Sequence, residues 1–459
     1  MTATAFSSLS LSPAMLANLE SLGYAQMTPI QARSLPLILA GKDLIAQAKT
    51  GSGKTATFGI GLLAPLNPRY FGCQALVLCP TRELADQVAK EIRRLARSAD
   101  NIKVLTLCGG VPLGPQIGSL EHGAQIIVGT PGRVQQHLDK GTLKLDGLNT
   151  LVLDEADRML DMGFVDSITA IIERTPSRRQ TLLFSATYPA GIEQIATRFM
   201  RQPERVEVEA LHDNEQIEQR FYEIDAEQRL DAAVNALQCF RPQSCVAFCF
   251  TKQQCQELVE HLGKAGIVSA ALHGDLEQRE RDQVLAMFAN RSLSVLVATD
   301  VAARGLDIDA LDMVLNVELA RDAEIHVHRV GRTGRAGEKG LAISLVAPAE
   351  AHRARAIEAL QQGALNWHPG NSLKPRSGEP LQPPMITLCI AAGRKDKLRP
   401  GDILGALTGD AGLAGSQVGK IALFDFQAFV AVERGVARQA LKRLSEGKIK
   451  GRSLRVRTL

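Results

Sequence analysis

The stretch "AKTGSGKT", Ala48 to Thr55, combines small residues with a lysine and a threonine at a spacing suited to phosphate. Small residues let backbone N–H groups curl around phosphate oxygens, and here Thr50, Gly51, Ser52 and Gly53 would form that cradle. Lys54 would then reach the β- and γ-phosphates of a nucleotide, and Thr55 would offer its hydroxyl to Mg2+. A second stretch, "LVLDEADRML", places two carboxylates behind an apolar run. A hydrolase needs one carboxylate for the metal and one for the attacking water, and Asp154 and Glu155 fit those roles. A third, "HRVGRTGRAG" from His328 to Gly337, spaces arginines at intervals of three; Arg332 and Arg335 could neutralise charge on a transferring phosphoryl group.

Such groups work only if a scaffold holds them. Short apolar runs bounded by turn residues read as buried parallel strands: Ala75–Pro80, Gln125–Thr130, Leu151–Glu155 and Thr181–Thr187. Helical stretches such as "ELADQVAKEIRRLARS" separate them, which predicts an α/β domain with right-handed crossovers. "DLIAQA" enters the phosphate loop and "TATFGIGLL" leaves it as a helix, so phosphates would meet a helix N-terminus. After a charged hinge around "LHDNEQIEQ" the pattern restarts, with strands predicted at Cys245–Thr251, Val268–Gly274, Val295–Asp300, Met313–Glu318 and Leu341–Ala347. ATP is then expected between two α/β domains, with closure completing the site.

Five prolines between residues 366 and 385 read as a linker rather than a packed element. Beyond it the order is strand, helix, two strands, helix, strand, with a net charge of +8 over residues 386–459 against −4 for the rest of the chain. A folded basic module of this kind points to nucleic acid. The predicted parts are 1–209, 218–365, the linker 366–385 and the basic module 386–459. No run is apolar enough for a membrane span, the N-terminus lacks the features of a signal peptide, and eight scattered cysteines suit a reducing compartment. A cytoplasmic protein is expected, without a zinc site.

These motifs, in this order, resemble the DEAD-box RNA helicase family over residues 6–350. The likeness adds "LGYAQMTPIQ" with Phe6 upstream, "PTRELA", Gly109-Gly110, "TPGR", "SAT", "VAFCFT", "HGDLEQRER" and "ATDVAARGLD". Tyr24 and Met27 stand where Phe and Pro are more usual, and Ala303 where Ser is common. The resemblance implies two tandem RecA-like parallel-sheet domains, ATP and Mg2+ as cofactors, and local opening of RNA duplexes. By it, Gln31 and Tyr24 address adenine and Asp307 the ribose, with Asp154 holding Mg2+ directly or through water. It puts RNA on Thr81, Arg82, Gly110, Thr130, Gly132, Arg133, Thr251, Gln278, Arg281, Thr299 and Asp300. It makes Asp157, Ser185 and Thr187 the coupling between nucleotide and RNA.

The tail has the βαββαβ order of a small α+β RNA-recognition domain, yet lacks its stacking rings. Gln427 and Val432 occupy the two aromatic positions of the third strand, and Thr387 and Cys389 stand on the first. RNA is therefore expected on basic loops carrying Arg394, Lys395, Lys397, Lys448, Lys450 and Arg452, by shape and phosphate contacts. A role in protein contacts is the competing reading of this domain. Over nearly its whole length, including "RPGDILGALTG" and "GKIKGRSLRVR" in the tail, the three-part chain also resembles the family's bacterial branch acting on large-subunit ribosomal RNA. That likeness implies 23S rRNA or precursors of the large subunit as partner. A monomer is expected because nothing in the sequence demands an interface, no membrane because no run is apolar enough, and no DNA because "HRVGRTGR" and the Gln31 motif disfavour it. The alternative is an ATP-gated RNA clamp or chaperone with little unwinding.

Overall fold

The computed structural model describes residues 4–48, 51–188, 190–208, 217–303, 311–334, 339–375, 381–409 and 412–459. The chain divides into two compact units, residues 1–212 with 305–307, and residues 213–304 with 308–459.

The first unit is built on a parallel sheet of seven strands: β1 Leu44–Gln47, β2 Ala75–Leu78, β3 Val104–Leu107, β4 Ile126–Gly129, β5 Thr150–Asp154, β6 Gln180–Ser185 and β7 Glu204–Glu207. Their order is β3-β4-β2-β5-β6-β1-β7. Side chains alternate across a strand, and both faces are apolar. Ala46, Val77, Val128, Val152 and Phe184 fill one core. Ile45, Leu76, Ile127, Leu153 and Leu183 fill the other. Burial on both faces explains why these strands read as continuous apolar runs. The edge strand β7 is polar and largely exposed, and β3 is half exposed, so neither stood out in the sequence. The phosphate loop, "PTRELA", Gly109-Gly110, "TPGR", the acidic segment and "SAT" each follow or close the C-terminal end of one of these strands, the usual ligand edge of an open parallel sheet.

The second unit repeats the plan with β8 Ile217–Glu223, β9 Cys245–Cys249, β10 Ser269–Leu272, β11 Val295–Thr299, β12 Met313–Asn316, β13 Gly340–Val346 and β14 Trp367–Pro369. The order β10-β11-β9-β12-β13-β8-β14 is again wholly parallel. Two RecA-like domains result. Strand β14 revises the linker: Trp367–Pro369 pairs with β8, and Leu373 and Leu381 are buried in this unit's core. Residues 211–216 of the expected hinge and 376–380 of the linker lie outside the described residues, while Ile217 to Gln219 open β8.

The C-terminal sheet is antiparallel, β15 Met385–Ile390, β16 Val418–Leu423, β17 Ala428–Glu433 and β18 Val456–Thr458, in the order β16-β17-β15-β18. One face packs Leu388, Ile390, Val430 and Val432 on the helices Pro400–Thr408 and Ala437–Glu446. Val432 thus points into the core, not onto the open face where the sequence alignment put it. The other face is covered by the helix Gln278–Ala289 of the second RecA-like domain. Ala286 packs with Cys389 and Phe429. The Thr387 hydroxyl lies 3.1 Å from Asn290 Nδ2 and 2.6 Å from Ser292 Oγ, and Arg279 Nε donates to Gln427 Oε1 at 3.2 Å.

Gln427, Thr387 and Cys389, three of the four residues at ring positions, therefore dock this helix and the turn that follows it. A charge at the centre of that contact should undo it. Ala286→Glu should open Cys389, 5% exposed in the docked sheet, to DTNB without denaturant. Its reaction rate should approach that of the partly exposed Cys239, while Cys245 and Cys249 stay protected. Continued protection of Cys389 would show that the helix is not what buries it.

Candidate nucleotide and RNA sites

The phosphate loop leaves β1 and runs into the helix Lys54–Leu63. Gly51 and Gly53 have φ of 84° and 94°, a left-handed backbone that costs a side chain about 1–2 kcal/mol. The Lys54 side chain is buried, with Nζ donating to the Ala48 carbonyl at 2.8 Å, so the ammonium curls back over the loop. Thr55 is half-buried on the helix's first turn. Thr50 lies outside the described residues.

Gln31 sits at the third position of a helix begun by Thr28 and Pro29, a capping box of the form T-x-x-Q. Its Oε1 accepts from Thr28 N at 2.9 Å, and its Nε2 donates to Gly53 O at 3.3 Å. Thr28 Oγ1 donates to Ser52 O at 2.8 Å. The pair therefore braces the phosphate loop, a role for Thr28 that the sequence reading missed although T-x-x-Q signals it. An amide has two lone pairs and two hydrogens, so one of each is left for a purine edge. Tyr24 meets Phe6 edge-on at 6.1 Å and donates to Glu91 Oε1 at 2.5 Å. Burial first, then that carboxylate, push its phenol well above the usual range.

At the end of β5, Asp154, Glu155 and Asp157 are all buried. Burial, and then the neighbouring Glu155 charge, raise Asp154 to about 7 against the opposing pull of Lys54. Such a carboxylate lacks sufficient positive charge around it, and a divalent cation fits that deficit. Glu155 has a φ of 51°, which turns its side chain out of the strand line, and its Oε2 accepts from Arg158 Nη1 at 2.8 Å. Asp157 Oδ2 accepts from Ala186 N, Thr187 N and Thr187 Oγ1 at 3.1, 2.9 and 3.0 Å. Its own backbone N faces Ser185 Oγ at 3.4 Å. The structure thus ties the end of β6 directly to the acidic loop.

Several RNA-assigned positions also gather in the first unit. Thr81 and Thr130 are the N-caps of the helices Arg82–Leu95 and Pro131–Asp139. Gly110, at φ 69°, lies so close to the Arg82 guanidinium that a side chain there would displace it. Gly132 is exposed, and Arg133 is half-buried beside Arg82.

In the second unit, Thr251 caps the helix Lys252–Lys264, and Gln278 and Arg281 lie on the helix that docks the C-terminal sheet. Arg281 Nη2 donates to Ala302 O at 2.8 Å, and Thr299 Oγ1 accepts from Ala302 N at 3.4 Å. The Asp300 carboxylate is held inside the domain. It takes Arg329 Nε and Nη2 at 2.6 and 2.8 Å, a bidentate fork. Arg329 is 2% exposed at the side chain and also bonds Asn316 and the Glu318 carbonyl. The first arginine of the arginine-rich motif is therefore a lock inside the domain, a role its spacing did not reveal. Arg332 is buried just after the helix Ala323–Val330. Arg335 and Asp307 lie outside the described residues.

On the C-terminal domain, Arg394, Lys395, Lys397, Lys448, Lys450 and Arg452 are all exposed. Two turns bring them to one corner: Lys450 Nζ donates to Lys397 O at 2.7 Å. Between the turns lies a recess of about 110 Å3, with Ala392, Leu398, Ile449 and Leu454 as its apolar lining and Lys397, Lys450, Arg452 and Asp396 as its charged one.

Because Gly53 combines left-handed backbone with close packing, it gives a direct test of the phosphate loop. A Cβ there would lie 2.7 Å from Gln31 Nε2 and 3.1 Å from Thr28 Oγ1. Gly53→Ala should weaken binding of a fluorescent ADP analogue by on the order of ten-fold or more. Gly41→Ala, equally left-handed at φ 74° but with nothing within 4 Å, should lower the melting temperature and leave nucleotide affinity intact.

Comparison with known proteins agrees with this geometry. Residues 28–195 match the DEAD/DEAH box helicase family, residues 228–337 the helicase conserved C-terminal domain, and residues 387–458 the DbpA RNA binding domain. The chain is 57% identical over 459 residues to the ATP-dependent RNA helicase DbpA of Escherichia coli, covering 99% of this chain and 100% of that one. It is 45% identical to the DEAD-box ATP-dependent RNA helicase CshA of Bacillus subtilis, over 77% of this chain and 72% of that protein. Among solved structures, S. cerevisiae Dbp5 bound to RNA and ADP BeF3 superposes with a TM-score of 0.74 at 30% identity, covering 81% of this chain and 97% of that one. The chain belongs to the DEAD-box ATP-dependent RNA helicases, in the branch that carries a DbpA-type RNA-binding domain at its C-terminal end.

Proposed function

We propose that this helicase remodels structured 23S rRNA during assembly of the large ribosomal subunit, and that its C-terminal domain supplies the address. The observation that carries this reading is the basic corner of that domain. Its sheet face is spent on the helix Gln278–Ala289, so the exposed lysines and arginines around the recess are what it offers to RNA. An apolar lining beside a cationic rim suits a base held among phosphates.

In the catalytic unit, Lys54 and the amides of the phosphate loop bind the ATP phosphates, and Gln31 reads adenine with its remaining donor and acceptor. Thr55 and Asp154 would hold Mg2+, which, when bound, would neutralise charge on the phosphates. Glu155, oriented by Arg158, accepts a proton from the attacking water. Arg332 and Arg335 supply positive charge to the phosphoryl group in transfer. Asp157 senses the acidic loop and passes its position to Ser185 and Thr187. Thr81, Arg82, Gly110, Thr130, Gly132 and Arg133 hold sugar–phosphate from the first unit, and Thr251, Gln278, Arg281 and Thr299 from the second. ATP and RNA each favour the state that binds the other, and hydrolysis releases RNA. The protein acts as a monomer in the cytoplasm; among the described residues no helix is long and apolar enough to cross a membrane.

Two variants test this. Glu155→Gln should reduce RNA-stimulated ATP turnover by about 100-fold or more while ATP-dependent RNA binding persists. Turnover at the wild-type level would remove Glu155 from the chemistry and favour a clamp. Lys397→Glu with Arg452→Glu should raise the 23S rRNA concentration needed for half-maximal ATPase by about ten-fold or more, and leave stimulation by poly(A) unchanged. Equal effects on both RNAs would overturn the addressing role.

A further inference from the structure

The helix Leu113–Glu121 carries no motif, yet one of its side chains is at the centre of a buried polar network. Gln116 is 7% exposed. Its Nε2 donates to the carbonyl of Cys108 at 3.1 Å, the residue just before Gly109-Gly110. Its Oε1 accepts from Arg133 Nη1 at 2.8 Å and faces His137 Nε2 at 2.9 Å. These partners fix the amide, because only nitrogen can donate to a carbonyl and only oxygen can accept from a guanidinium.

The amide in turn fixes His137. Nε2 must carry the proton that faces Gln116, and Nδ1 lies 2.9 Å from Thr142 Oγ1, a hydroxyl shared with the His137 carbonyl at 3.1 Å. Burial first, and the Arg133 charge second, push the imidazole below its usual range. Both causes favour the neutral ring. His137 is fully buried, so nothing here is arranged for solvent.

The network has a clear geometric product. Arg133 Nη1 donates directly to Val111 O at 3.0 Å, just after the Gly109-Gly110 turn, and reaches Cys108, just before it, through Gln116. One guanidinium brackets both ends of the turn. A turn needing only to be closed could use backbone bonds; here a buried amide and imidazole are spent on orienting one cation.

We propose that Gln116, backed by His137, is a positioning residue for RNA: it sets the Arg133 guanidinium against the Gly109-Gly110 turn so that both address one stretch of sugar–phosphate backbone. The inference rests on the reading of Gly110 and Arg133 as RNA contacts. Gln116 itself touches no RNA and acts through Arg133.

The test is fluorescence anisotropy of a labelled single-stranded oligoadenylate with full-length protein, Mg2+ and a non-hydrolysable ATP analogue. Gln116→Met, similar in shape but without the amide, should weaken binding by about ten-fold. Gln116→Glu, which keeps an oxygen facing Arg133 and His137 but sets its other oxygen against the Cys108 carbonyl, should recover part of the loss. Gln116→Met combined with Arg133→Ala should bind no more than about two-fold more weakly than Arg133→Ala alone, since coupled residues are not additive. If Arg133→Ala weakens RNA while Gln116→Met does not, or if the two losses multiply, Gln116 does not act through Arg133 and the inference fails. If Arg133→Ala leaves binding unchanged, the RNA-contact reading falls and takes this inference with it.

Discussion

The structure of the first unit turns on the burial of three carboxylates where β5 runs into the helix Ala156–Asp161. Asp154, Glu155 and Asp157 are 3%, 6% and 4% exposed. Charged groups taken out of water must find partners or lose their charge. Each does so differently. Asp157 draws in backbone amides and a hydroxyl from the end of β6, Glu155 takes a guanidinium, and Asp154 has the Glu155 amide and the Lys54 charge yet keeps an elevated proton affinity. One demand for compensation thus brings together the phosphate loop, the acidic loop and the segment at Ser185.

Parallel strands make that arrangement possible. Because β1, β5 and β6 run side by side in one direction, their C-terminal ends place Lys54, Asp154 and Ser185 along one edge. The backbone seals the arrangement, with Ala48 N donating to Ser185 O at 3.1 Å. A shift in the acidic loop therefore has few compliant elements to disperse into. The Gln31–Thr28 brace restrains the phosphate loop from its other side, so the loop's shape is held by packing and not by the loop alone.

Most of this was legible in the sequence because the chemistry constrains residue type. Strands buried on both faces announce themselves as unbroken apolar runs, and β5 and β6 lay within two residues of expectation. The polar edge β7, the short β3 and the three-residue β14 carried too weak a pattern. Residues whose role is to hold other side chains were harder still. Arg329 and Gln116 are ordinary polar residues on amphipathic helices until the tertiary fold shows what they face. The same is true of Thr387 and Cys389. Sequence showed only that rings were missing, while the docked helix shows what took their place.

That substitution has an architectural consequence. A recognition sheet that reads RNA on its strands cannot change its target without changing residues that also hold the sheet together. Here the strands are committed to the helix below and the core above, and the cationic groups stand on two turns, around residues 394–397 and 448–452. Turns tolerate substitution and insertion far better than strands do. The domain separates the sheet face that mounts it on the second RecA-like domain from its basic corner, so substitutions on the two turns leave that mounting as it is.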